Sequence, residues 1–89
     1  MIEDLLTIYS VDVGLTDEQA QEIYIRMLAN PVWRSRISAE INLAFADTDL
    51  SWAILLEKAE IYSEGSELEA RNYAEKLILL PLKSVESLL

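Results

Sequence analysis

Apolar residues recur along this chain at steps of three and four, the spacing that lines up side chains on one face of an α-helix. The first run, Ile2 to Ser10, carries Leu5, Leu6 and Tyr9 in that rhythm. The second carries Ala20, Ile23, Tyr24, Met27 and Leu28, one apolar stripe with Ile25 off it. The third extends to about Ala46 and is apolar on two sides. Trp33, Ile37, Ile41, Ala44 and Phe45 form one stripe, and Val32, Ala39, Leu43 and Ala46 form another roughly opposite. Such a helix is either central in a fold or half in an interface. The fourth run, from Leu50 to Ser63, has a main stripe of Trp52, Leu55, Leu56, Ala59 and Tyr62, with Leu50, Ile54 and Ile61 on another side. The fifth presents Ala70, Tyr73, Ala74, Leu77 and Leu80 until Pro81 interrupts it, leaving Leu82 to Leu89 for a short last helix. Strand-like alternation is confined to Val11-Asp12-Val13, an isolated piece with nothing to pair with.

The residues between these runs supply the punctuation of helices. Thr16-Asp17-Glu18-Gln19 fits a capping box, in which a threonine hydroxyl and a glutamine amide each satisfy an orphan backbone N–H. Asn30-Pro31 closes one helix and opens the next, with Asn30 as cap and Pro31 in the first turn. Asp47-Thr48-Asp49 breaks the chain again, Glu64-Gly65 ends the fourth helix with Gly65 suited to a left-handed cap, and Ser66 to Glu69 repeats the capping-box pattern. An echo at an offset of fifty (Thr16 with Ser66, Ala20 with Ala70, Pro31 with Pro81) is what two capped helices built by the same rules produce. With only two glycines and two prolines, a strand-rich fold lacks its turn residues. The expected fold is all-α: a compact bundle of four to five short helices forming a single domain over 1–89.

Composition then narrows what such a bundle does. At 89 residues and 52% hydrophobic content, the chain has enough apolar side chains for one core. It has no cysteine and no histidine, which removes disulfides, thiolate metal sites, cysteine nucleophiles and the commonest general acid–base. Sixteen acidic and seven basic residues leave a net charge of −9. Duplex nucleic acid and anionic membranes repel such a surface, whereas a basic protein attracts it. No run approaches a membrane span, and Glu3 and Asp4 stand where a secretion signal carries Lys or Arg, so a cytoplasmic location is expected.

Candidate chemistry is sparse. Asp17, Glu18, Asp47, Asp49, Glu67 and Glu69 stand at expected helix starts, where the helix dipole accounts for them. Asp47-Thr48-Asp49 is no calcium loop, since Trp52 and Lys58 occupy the places that need glycine and glutamate. Arg34 and Arg36 beside Trp33 are better placed for structure, Arg36 being spaced to pair with Glu40. No phosphate loop, nucleophile elbow or metal-ligand spacing is present, so no enzyme activity, cofactor or metal is expected. Two features stay unabsorbed: Glu57, Glu60 and Glu64, spaced to line one face of the fourth helix, and a surplus of off-stripe apolars that includes Ile25, Val32, Leu43, Ile54, Ile61, Leu68, Ile78 and Leu79.

The expectation is a non-enzymatic protein–protein interaction module that regulates or neutralises a partner with a basic surface, as immunity proteins, antitoxins and inhibitors do. The contact region would be Glu57, Glu60 and Glu64 with Ile54 and Ile61. Two alternatives are a homo-oligomer packed through the third or fourth helix, and an acidic nucleic-acid mimic that blocks a DNA- or RNA-binding enzyme.

Overall fold

The computed structural model describes residues 2–61 and 65–89. Within them the chain is helical: α1 (Ile2–Thr7), α2 (Asp17–Leu28), α3 (Pro31–Ala46), α4 (Trp52–Lys58), α5 (Glu67–Ala74) and α6 (Leu80–Glu86), with a π-helical turn (Glu75–Leu79) joining the last two into one rod. That gives five helical bodies, no strand among the described residues, and the all-α bundle expected. The radius of gyration of 12.5 Å matches the roughly 12 Å of a compact chain of this length. The shortest dimension is 19 Å, about two helix diameters. The bundle is therefore a two-layer slab, and each helix has an outward face that no second layer covers.

The starts of the helices follow the sequence grammar. The Thr16 hydroxyl accepts from Gln19 N–H while the Thr16 N–H donates to the Gln19 amide oxygen, closing the capping box. The Asn30 side chain accepts from both Val32 and Trp33 N–H at the head of α3. Ser66 accepts from Glu69 N–H, but the second half of that expected box is missing. Glu69 instead lays its carboxylate over Gly65, whose φ of +104° is a backbone conformation that favours glycine. The acid that caps is Glu67. Its carboxylate accepts from Trp52 N–H, from Ala53 N–H at 3.2 Å and from the Ser51 hydroxyl at 2.9 Å. A residue in the first turn of α5 thus closes the head of α4 and staples the two helices.

Two expected boundaries are corrected. The fourth helix does not reach Ser63 but stops at Lys58. Glu60 takes φ +59°, its N–H donates to Glu57 O at 3.0 Å, and Ile61 N–H reaches back to Leu56 O at 2.9 Å. This is a Schellman ending, with a glutamate where glycine is usual. The expected end at Ser63 and the stripe position Tyr62 lie outside the described residues.

Pro81 does not interrupt the fifth helix either. It has no N–H for Leu77 O, its α-helical acceptor four residues back. The chain widens instead into the π turn, where Leu80 N–H donates to Glu75 O. Two tyrosines distant along the chain complete the pattern: the Tyr9 hydroxyl donates to Leu77 O at 2.8 Å and the Tyr24 hydroxyl to Ile78 O at 2.7 Å. The rod continues through the proline because side chains distant in sequence cap its freed carbonyls.

The core runs between the layers. Leu5 and Leu6 of α1, Tyr24 and Leu28 of α2, Ile37 and Ile41 of α3, Trp52 and Leu56 of α4, and Ala74, Ile78 and Leu82 of the rod are buried together. Trp33 meets Tyr24 edge to face at 6.1 Å, and Phe45 stacks on Trp52 at 4.4 Å. Arg34 donates to Leu28 O at 2.8 Å, tying α3 back to the end of α2. Arg71 donates to Phe45 O and lies 5.5 Å from the Phe45 ring centroid. Both arginines are structural.

Candidate functional site

The expected contact residues do not form one helical face. Ile54 and Glu57 do sit on the outside of α4, with Ile54 53% exposed. Lys58 is exposed beside them and dilutes the acidic face. Glu60 lies past the helix end, so the spacing of three from Glu57 no longer places the two side by side as helix neighbours. Ile61 is a correction. It is only 5% exposed, because the Schellman ending turns the chain back over Leu56 and carries Ile61 into the core. A buried side chain offers a partner nothing, so Ile61 leaves the contact set. Glu64 lies outside the described residues.

What the fold brings to Glu60 is the loop after α1. Val11 N–H donates to Glu60 O at 3.2 Å. The bond brings Asp12, the next residue, to Glu60, and a side-chain hydrogen bond with Asp12, followed by that residue's negative charge, holds the Glu60 carboxyl above its usual range. Both acids are exposed, and so are Val11 and Val13 on either side of Asp12, at 66% and 52%. The Ser10 hydroxyl, itself buried, accepts from Asp12 N–H and shapes the turn. The result is a patch of two like charges flanked by two exposed valines. Helical periodicity could not find it, because its halves are 48 residues apart and one half is a loop.

Two surface hollows are otherwise notable. One, of about 390 Å³, is lined by Asp17, Glu69, Asn72, Tyr73 and Lys76. There the Tyr73 hydroxyl donates to Asp17 at 3.2 Å, and burial together with that carboxylate raises the phenol pKa. The other, of about 250 Å³, has an apolar floor of Ile2, Ala44, Leu50 and Leu55 between Glu3 and Glu40. Among the described residues no three acidic side chains come close enough to hold a metal ion. Trp52 Nε1 is buried with no hydrogen-bond partner among the described residues. Its ring stacks on Phe45 in the core and faces no described hollow.

Of the off-stripe apolars, Ile78 and Leu79 join Ile61 in the core and Leu50 is half-buried, while Ile25, Val32, Leu43, Ile54 and Leu68 stay exposed. The surplus is thus split between a core wider than one stripe per helix and the outer surface. No described helix is long and apolar enough to cross a membrane. Comparison with known proteins found no matching family model, no matching curated protein and no matching solved structure.

Proposed function

We propose that this chain is a non-enzymatic binding module that regulates or neutralises a protein with a basic surface. The observation that carries the reading is the patch past the end of α4, where the bond from Val11 N–H to Glu60 O brings the exposed acids Asp12 and Glu60 together between exposed Val11 and Val13. A lysine or arginine of a partner pairs with both carboxylates, and the valines, with Ile54 and Glu57 on α4, supply apolar and acidic contact around it. The charge of −9 steers such a partner from a distance.

The test uses the chain immobilised against an extract of its native host at low and high salt. The expected result is a basic protein retained at 50 mM NaCl and released at 500 mM, with retention lost in the double variant Asp12→Ala, Glu60→Ala. If no protein is retained in a salt-dependent way, or if the double variant retains it equally well, the reading fails.

A further inference from the structure

We infer that a second copy of this chain docks on the outer face of α3, helix against antiparallel helix, with the two-fold axis at Ala39. After the exposed Pro31 in its first turn, seven exposed residues of this 16-residue helix share one face: Val32, Ser35, Arg36, Ala39, Asn42, Leu43 and Ala46. At 100° per residue they fill an arc of about 120° with nothing buried inside it. Val32 and Leu43 are 64% and 71% exposed. The arc is the expected second stripe of α3, and the two-layer slab leaves it uncovered.

Charge selects the occupant. The chain carries sixteen acidic residues, yet none lies in this arc, whose one charge is Arg36. The half-buried Glu40 is at its flank. A partner chosen for a basic surface gains nothing from an acid-free arc that presents an arginine. Two copies of an acidic chain repel each other, and they approach most easily where both lack acids. The arc is also self-complementary. An antiparallel crossing at Ala39 sets Val32 against Ala46, Leu43 against Ser35, and Arg36 against Asn42. The two large apolar side chains each meet a small one, and the small Ala39 on the axis lets the helices close to about 8 Å. This is the isologous pattern a two-fold dimer requires.

Size sets the strength. A helix of this length spans about 24 Å, and one such seam buries less than the roughly 800 Å² per partner of a standard interface. The dimer is accordingly weak, with a dissociation constant on the order of 0.1 mM. Its salt dependence is opposite to that of the basic partner proposed above: salt screens the repulsion between copies and tightens the dimer, while it weakens the heterologous contact. The two readings therefore fail separately.

The experiment is sedimentation equilibrium of the whole chain from 10 µM to 1 mM at 50 and 500 mM NaCl, joined to thiol crosslinking. The mass should rise from 10.1 kDa towards twice that value, at lower concentration in the higher salt. Ala39→Glu should weaken association more than ten-fold by placing two like charges on the axis, while Ile25→Glu, on the exposed side of α2, should leave it unchanged. Because the chain has no cysteine, Ala39→Cys adds the only thiol, and under mild oxidation it should crosslink two copies, whereas Val32→Cys should not. Circular dichroism confirms that each variant keeps its helix content. A constant monomer mass at both salts, a dimer indifferent to Ala39→Glu, or crosslinking through Val32→Cys as readily as through Ala39→Cys would overturn the inference.

Discussion

Glu60 is the residue at which local preference and fold disagree most. It holds a left-handed backbone conformation that favours glycine, and its carboxyl is set against that of Asp12. The ending of α4 requires the first, since the turn at Glu60 carries Ile61 into the core. Glu60→Gly is expected to raise the urea midpoint at pH 7, because it removes the strained φ and the repulsion together. If the proposed contact is right, the same variant loses affinity for a basic partner. A midpoint that falls would mean that the Glu60 side chain stabilises the turn in some other way. This ending was not legible in the sequence. Gly65 is the conspicuous stop signal, whereas a glutamate at the left-handed position announces nothing.

At the scale of elements, the π turn before Pro81 is the feature the tertiary structure built. A proline in mid-helix costs about 3 kcal/mol or more when the carbonyl it abandons stays unpaired. Here the Tyr9 hydroxyl supplies the missing donor to Leu77 O. Tyr9→Phe is expected to cost about 1–3 kcal/mol, the penalty of a buried unsatisfied carbonyl. In a Pro81→Ala background the restored N–H can serve Leu77 O, so the cost of Tyr9→Phe should shrink markedly. A double-mutant cycle from urea unfolding reads this coupling, and strictly additive costs would show that the tyrosine does not compensate for the proline. The helix itself, its start at Ser66 and its apolar spacing were all legible. Its passage through Pro81 was not, because the compensating hydroxyl lies 68 residues away along the chain.

For the whole molecule, pH tests how its helices are joined. Desolvation works against ionisation of Glu67, but the donors from Trp52, Ser51 and Ala53 outweigh it and hold its carboxyl below the usual range. A group with a depressed folded pKa contributes stability above its unfolded value, about 4.3 for glutamate, and that contribution is lost as pH falls through the lower folded value. At the other end of the scale, burial foremost, with Asp17 and Tyr73 adding to it, pushes the Tyr9 phenol up. Burial does the same for Tyr24, helped by Tyr9 and Glu86. Raised phenols contribute in full below their unfolded pKa of about 10, and stability falls as pH climbs from there towards the folded values. The urea midpoint should therefore decline below about pH 4.5 and again above about pH 10. Glu67→Gln should flatten the acid limb, and Tyr24→Phe the alkaline one. An acid limb unchanged by Glu67→Gln would show that the carboxylate does not staple α4 to α5.

What the sequence by itself determined about this protein is the grammar of its helices. The class and the caps at Thr16, Asn30 and Ser66 follow from hydrogen bonds and spacings that span four residues or fewer, so they can be read locally, as can most of each apolar stripe, although Ile23, Met27 and Leu80 of those stripes stay exposed. Only the tertiary structure decided which apolar faces find a second layer. Ile61 and Ile78 went in while Val32 and Leu43 stayed out, although periodicity treats all four alike. It also decided that Asp12 would meet Glu60, that Glu67 would cap α4 from α5, and that two tyrosines would carry the rod past its proline. Burial and long-range pairing depend on neighbours far away along the chain, and a two-layer slab has room to cover only one face of each helix.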